Sequence, residues 1–533
     1  MATSERWFLT AEERGNAASA IDRRRRDGLG WTEGNTVTPL VHGATYFARL
    51  HAELSSLGHG DQFWFLDWRG DAGQRLAGTG TELGSVLAEA ARRGVDVRGL
   101  VWRSHPDEEG FAEQENAHIG HVVNDAGGEV LVDERVRRFG SHHQKLVVIR
   151  RIGGKEDVAF IGGIDLCHGR GDDERHRGDP QPVALDERYG RRPAWHDIQL
   201  DVRGPAVGDL AETFRERWVD PTPLDHRNPW RTRIRREANQ SISATPLPPS
   251  PPDPPPAGNV AVQVLRTYPA KRPPFPFAPG GERSTARAYA KALARARSLI
   301  YVEDQYLWSE DVARFFADAL RRSPELRLIA VVPRYPDRDG ALSGPLNRIG
   351  QQEALTMMRA AGGDRVAVFD LENEAGLPVY VHGKVCVIDD VWMSVGSDNL
   401  NRRSWTHDSE VTCAVLDSER DERPPKDPGG LGDGARILPR ALRSALWREH
   451  LGNEVSEAEL LDPGAGFEAW GRMADALDAW HAEGKHGPRP AGRVRRHHPK
   501  AVRALAAWWA RPLYRLAVDP DGRPRNLKRS EHF

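Results

Sequence analysis

His382-Gly383-Lys384-Val385-Cys386-Val387-Ile388-Asp389 repeats, in chemical outline, the upstream stretch His143-Gln144-Lys145-Leu146-Val147-Val148-Ile149-Arg150. In each, a histidine and a lysine two residues apart precede an unbroken apolar run. Alternation along a strand would put the imidazole and the ammonium on one face, while the apolar run anchors both in a core. Each stretch leads through a glycine-containing turn to another strand, Phe160-Ile161-Gly162-Gly163-Ile164-Asp165 or Ser394-Val395-Gly396-Ser397-Asp398-Asn399. Upstream the parallel continues. Phe63–Leu66, a helical pattern over Leu83–Arg93 and the strand Val95–Trp102 are matched by Leu299–Val302, Val312–Arg321 and Leu326–Val332. Strand–helix–strand with short links predicts a parallel crossover in each half. Two copies of one α/β layout predict a pseudo-twofold molecule whose shared site lies between the halves.

The chain is long enough for two cores, with 533 residues, 39% hydrophobic and 29% charged. The stretch 245–256, TPLPPSPPDPPP, reads as an extended spacer outside any core. The predicted organisation is a first lobe at 1–244, a linker at 245–258, a second lobe at 259–460 and a tail at 461–533. A formal net charge of -2 gives no global basic field, so no nucleic-acid partner is expected. Three scattered cysteines make neither a disulfide framework nor a zinc site. The N-terminus lacks a signal-peptide pattern, and no apolar run is long enough to span a bilayer. A cytoplasmic monomer with peripheral membrane contact is expected. Arg23–Arg26 reads as a solvated helix face, and Trp508-Trp509 in a basic tail is a candidate interfacial anchor.

Two imidazoles and two ammonium groups around one point suit phosphodiester cleavage. Lysines neutralise the non-bridging oxygens, one histidine attacks phosphorus, and the other protonates the leaving alkoxide. His143, Lys145, His382 and Lys384 are therefore the candidate catalytic groups. Each ring needs a carboxylate to fix its tautomer. Asp197 in Trp195-His196-Asp197 and Glu410 in Asp408-Ser409-Glu410 occupy corresponding places before a strand. Asp197 is expected to serve the first motif and Glu410 the second. Asn399, Ser397 and Gln305 are candidate phosphate-pocket residues, although each type also favours turns or surfaces. Asp389 and Asp165 are expected in supporting roles.

Together these stretches resemble the phospholipase D superfamily. His382 through Asp389 with Gly396-Ser397-Asp398-Asn399 is a full HxKx4D…GSxN pattern, and Asn401-Arg402-Arg403-Ser404 resembles the family's NxRS segment. His143-Gln144-Lys145, Gly162–Cys167 and Trp195-His196-Asp197 resemble the plant and animal pattern HxK…GGIDLC…WHD. Tyr301–Tyr306 resembles IYIENQYF, and Leu446–Gly452 resembles LWxEHLG. The resemblance runs from about residue 35 to residue 452. It implies two α/β/α sandwich lobes with mixed, largely parallel sheets, and an active site at their interface. It also implies chemistry without metal or other cofactor, and a covalent phosphohistidine with His143 as nucleophile and His382 as general acid. The implied substrates are phosphatidylcholine-like lipids at a membrane surface, with exchange onto alcohols possible in principle. Other readings of the same fold are a cardiolipin-synthase-like transferase, a nuclease, or a non-catalytic lipid-binding relative. The last is motivated by Arg150, which stands where the first motif should carry aspartate. Asp304 likewise replaces the asparagine of the ENQ segment.

Overall fold

The computed structural model describes residues 3–25, 27–104, 112–153, 156–224, 243–337, 343–528 and 533. The first half contributes β1 (Thr32–Val41), β2 (Gln62–Asp67), β3 (Asp96–Trp102), β4 (Glu129–Asp133), β5 (Leu146–Arg150), β6 (Val158–Gly162), β7 (Ala194–His196) and β8 (Ile198–Arg203). The second contributes β9 (Val260–Tyr268), β10 (Glu282–Arg283), β11 (Leu299–Glu303), β12 (Arg327–Val331), β13 (Val366–Glu372), β14 (Pro378–Val381), β15 (Val385–Ile388), β16 (Trp392–Gly396), β17 (Glu410–Asp417) and β18 (Val494–Arg496).

The first sheet runs β4-β3-β2-β5-β6-β8-β1, and the second runs β13-β12-β11-β15-β16-β17-β9. The two orders are the same, strand for strand, which establishes the pseudo-twofold repeat. Parallel pairing is confined to the crossover strands, β2-β3-β4 and β11-β12-β13. The other neighbours in each order are antiparallel, and in β5–β6 and β15–β16 the short link can only reverse the chain. Antiparallel β1–β9 and parallel β7–β14 join the halves.

Both faces of each sheet are covered, so Leu146–Ile149 of β5 and Val385–Ile388 of β15 are apolar on both faces. Leu146 and Val148 of β5 join one continuous core with Val385 and Val387 of β15, between the two sheets. Val147 and Ile149 face the outer helices of the first half, and Cys386 and Ile388 those of the second. The outer helix Glu310–Arg322 shows how the sequence encodes this layer. Val312, Ala313, Phe316, Ala319 and Leu320 recur at helical spacing and are buried, with acids in the first turn and arginines in the last.

Several expectations need correction. The proline-rich stretch is irregular, but it is not a free spacer. Trp218 Nε1 donates to the Thr245 carbonyl at 2.7 Å and Arg215 to that of Pro248 at 2.8 Å, which tie it down over the first sheet. Of Arg23–Arg26, Arg24 and Arg25 are not a solvated face, since both pair with buried Asp209, and Arg26 lies outside the described residues. Beyond residue 461 the chain is built into the second half. The helix Pro463–Ala482 buries Trp470 in the central core, and β18 extends the sheet beside β13.

Candidate active site

His143-x-Lys145 and His382-x-Lys384 lie immediately before β5 and β15, rather than within them. Each histidine is instead held by the opposite half. The His143 amide donates to the Ser409 carbonyl at 2.9 Å, and the His382 amide donates to the His196 carbonyl at 2.7 Å. Those partners immediately precede Glu410 and Asp197, so the expected carboxylate assignments are exchanged. His143 Nδ1 lies 2.9 and 3.1 Å from the two oxygens of Glu410. His382 Nδ1 lies 2.7 Å from Asp197 Oδ2. Sequence order pairs each motif with the carboxylate of its own half; the backbone pairing across the interface reverses this.

The surrounding residues fix these groups. Ser397 Oγ donates to Glu410 Oε2 at 2.6 Å and accepts from the Val411 amide at 3.0 Å. Its hydroxyl is thus committed to holding the carboxylate, which corrects its expected place in the phosphate pocket. Asp197 also accepts from the Ile198 amide at 2.9 Å and from Trp195 Nε1 at 3.3 Å. Lys145 lies 3.0 Å from buried Asp165, and Lys384 Nζ lies 3.4 Å from Gln305 Oε1. Gln305 also donates to the Tyr380 hydroxyl at 2.8 Å, so it positions Lys384 against an aromatic wall. Asn399 is buried, and its Oδ1 has no hydrogen-bond partner among the described residues, unlike Ser397.

Asp389 does what strand geometry asks. Its carboxylate accepts from the amides of Arg297, Ser298 and Leu299, each at 2.8 Å, and so locks the end of β15 to the start of β11. Arg150 cannot do this. In the first half the acid stands on the other side of the same junction, where Asp61 accepts from the Ile152 and Gly58 amides, each at 2.9 Å. Arg150 pairs with Asp157 at 2.7 Å and donates to the Pro252 carbonyl, so the substitution also clasps the proline-rich strap.

The electrostatics favour neutral imidazoles. Burial, then Lys145 and Lys384, hold His143 well below the usual histidine range. Burial, then Lys384 and Arg170, do the same for His382, with Lys145 adding to the effect. Each ring thus feels the other half's lysine, as a single convergent site requires. Burial and the neighbouring Asp408 push Glu410 up to about 8, and burial raises Asp197. Lys384 is brought down to about 8, chiefly by burial. For Asp165 burial opposes ionisation, but Lys145 and Arg170 outweigh it and hold the carboxyl low.

Two tryptophans to which the sequence assigned no role at the site complete the walls. Trp195 lies against the His382 ring at 4.9 Å between centroids, and the Arg170 guanidinium lies 3.9 Å from the centroid of the Trp195 ring. Trp68 approaches His143 edge-on at 5.9 Å. Only the position of Trp68, directly after β2, hinted at this role. A cavity of about 310 Å³ opens beside Gln305 and Tyr380, with Arg334, Arg348 and Lys500 in its lining. Among the described residues, the groups able to hold a metal ion are His42, His176, His196 and Glu449, and His196 with Glu303 and His450. They lie behind Asp197, not at the paired lysines.

The phospholipase D family model matches residues 72–244, and the family model described as cardiolipin synthase, PLD-like domain, matches residues 289–422. One match falls on each half of the repeat. The chain belongs to the phospholipase D superfamily. Among curated superfamily members it is 26% identical over 501 residues to phospholipase D alpha 2 of Oryza sativa subsp. japonica, covering 71% of this chain and 59% of that protein. It is 27% identical to phospholipase D alpha 1 of Vigna unguiculata (72% and 60% covered) and 25% identical to that of Arabidopsis thaliana (74% and 61%). The chain therefore spans about three-fifths of the length of these phospholipase D relatives. Among solved structures it resembles phosphatidylserine synthase from Haemophilus influenzae Rd KW20, with TM-score 0.47, 14% identity, and 72% and 82% of the two chains covered. Polyphosphate kinase from Porphyromonas gingivalis gives TM-score 0.39 at 11% identity, with 77% and 48% covered. No helix among the described residues is long and apolar enough to cross a membrane.

Proposed function

We propose that this protein is a phospholipase D-type phosphodiesterase acting on glycerophospholipids such as phosphatidylcholine. The observation that carries the reading is the crossed pair of dyads, His143–Glu410 and His382–Asp197, with a lysine from each half beside them. In the proposed reaction, Nε2 of His143 attacks phosphorus and the bond to the head-group oxygen breaks. His382 supplies the proton to that oxygen from Nε2 as Asp197, whose carboxyl burial makes easier to protonate, passes its own proton to Nδ1. Water then gives its proton to His382 as its oxygen attacks phosphorus, and the P–N bond breaks to release phosphatidic acid. An alcohol in place of water yields the exchanged lipid. His143 is the more accessible ring, 14% exposed against 6% for His382, which favours it as nucleophile. Lys145 and Lys384 offset the charge that builds on the phosphoryl oxygens.

Phosphatidylcholine vesicles with a primary alcohol and no added divalent cation test this reading. Phosphatidic acid and phosphatidyl-alcohol are expected. If neither forms while phosphatidylglycerol is converted to cardiolipin, the transferase reading suggested by the second family match replaces it. If nucleic acid is cleaved instead, the protein is a nuclease. Inactivity on all three substrates would support a lipid-binding role.

A further inference from the structure

Three imidazoles converge on one carboxylate behind the His382–Asp197 dyad. His42 Nε2 is 2.9 Å from Glu449 Oε2, and His176 Nε2 and His196 Nδ1 are 3.0 and 3.4 Å from Glu449 Oε1. The three ring centroids form a near-equilateral triangle with sides of 5.0, 5.2 and 5.5 Å. The histidines are buried, and Glu449, 15% exposed, gives the cluster its opening to the surface. We propose that His42, His176, His196 and Glu449 form a tetrahedral binding site for a divalent transition metal ion, of which Zn²⁺ is the natural occupant.

Geometry supports this first. A tetrahedral zinc ion with bonds of about 2.0–2.1 Å has its ligand atoms about 3.3 Å apart. The nitrogen–oxygen separations of 2.9, 3.0 and 3.4 Å, the first to Oε2 and the others to Oε1, are within a few tenths of an ångström of that. The ligand atoms all lie within 4.8 Å of one another, so one carboxylate oxygen must turn to the ion and the rings draw in by up to about 1.5 Å. The surroundings are those of a metal-bound imidazole. His196 Nε2 lies 2.8 Å from buried Glu303, whose other oxygen meets the Tyr301 hydroxyl at 2.5 Å and His450 Nε2 at 2.8 Å. A carboxylate on the far nitrogen is the usual means of orienting a histidine ligand. Charge also fits: with neutral imidazoles, Glu303 and Glu449 carry two buried negative charges, and a dication balances both. The nitrogen-rich donor set selects zinc or cobalt over calcium or magnesium.

Two of the histidines sit in strained backbone. His42 and His176 have φ of 70° and 53°, a region that non-glycine residues occupy only when their surroundings hold them there. The site joins four elements that are distant in sequence. Because the His42 amide donates to the Asp197 carbonyl at 2.9 Å, the ion would brace the segment that carries the His382 partner. Its role is structural, and it lies away from the phosphate pocket.

The test is Co²⁺ titration of the purified full chain after stripping with dipicolinate. One equivalent should bind, with the intense visible absorption of tetrahedral cobalt, be displaced by Zn²⁺, and raise the melting temperature. His176→Ala should lose the band and weaken binding more than about a hundredfold. Glu303→Gln should keep the band but weaken binding about ten- to a hundredfold. Wild-type protein that shows no saturable Co²⁺ or Zn²⁺ binding overturns the proposal, whatever the variants do. So does a cobalt spectrum of six-coordinate type, or one unchanged in a folded His176→Ala protein. In either case His196 is an imidazolium bridging Glu303 and Glu449 without metal.

Discussion

Replacing Glu410 by glutamine tests the crossed pairing most directly. Glu410 Oε2 accepts the Ser397 hydroxyl at 2.6 Å and lies 2.9 Å from His143 Nδ1, while Oε1 lies 3.1 Å from the same nitrogen. An amide puts its NH₂ in one of those two places. If the NH₂ takes the place of Oε2, it faces His143 and forces the proton onto Nε2, the nitrogen that attacks phosphorus in the proposed reaction, while Ser397 turns to the Val411 carbonyl, 3.2 Å away. In histidine–carboxylate triads that tautomer error costs about 10⁴-fold in turnover. If the oxygen keeps the place of Oε2, both donors keep their acceptor, and the loss reduces to the charge assistance of one hydrogen bond. That is about 2 kcal/mol, or about 30-fold. A fall of about 10³-fold in kcat is therefore expected, with little change in KM. Stability should hardly suffer. The Glu410 pKa is raised by folding to about 8, so its contribution is present at low pH and is lost as pH rises from the normal carboxyl range through about 8. A neutral amide removes that dependence, and the melting temperature at pH 7 should stay the same or rise slightly. The assay compares an alkoxide head group with p-nitrophenolate, which leaves without a proton. Glu410→Gln should slow both, because it disables attack. Asp197→Asn should slow the alkoxide substrate at least about tenfold more than the nitrophenyl one, because it disables the acid. The reverse pattern would refute the assignment of roles, and equal sensitivity in both variants would refute the division of labour between the dyads.

Other consequences are as direct. The rate should fall on the alkaline side as Lys384 loses its proton around pH 8, and on the acid side as Glu410 takes one up; in Lys384→Arg a pH–rate profile should lose the alkaline limb, since guanidinium stays charged. Asp389→Ala leaves three backbone donors at the start of β11 without their acceptor, and chemical denaturation should show a loss of about 3 kcal/mol. Arg150→Asp, which completes the motif on paper, should leave turnover unimproved and lower stability by about 1–2 kcal/mol, because it sets a second acid beside Asp157 and releases the Pro252 carbonyl; a gain in either would show that Asp61 does not serve that junction.

The difference between what the sequence displayed and what it concealed follows from the range of the interactions. β5, β15 and the crossover units are legible because burial on both faces writes itself as uninterrupted apolar runs, and the repeat doubles the signal. The four side chains proposed as catalytic are legible for the same reason: they sit at fixed distances from those runs. The partner of each histidine is not. Glu410 is 267 residues from His143, and Asp197 is 185 from His382. Order along the chain assigns each to the wrong motif, because the choice is made by Ser409 and His196, whose carbonyls receive the histidine amides across the interface. Arg150 shows the converse. Read by position it is a lost aspartate, yet the constraint it breaks belongs to a strand junction that can be tied from either side, and Asp61 ties it. A motif position thus reports a physical requirement only together with its partner in space. The crossed dyads make the requirement sharper: neither half holds a complete histidine–carboxylate pair, so hydrolysis by one half alone would contradict the shared site. A fragment carrying only residues of the second repeat should bind no transition-state charge productively, even with its HxKx4D motif intact, since Asp197 stays behind with the first.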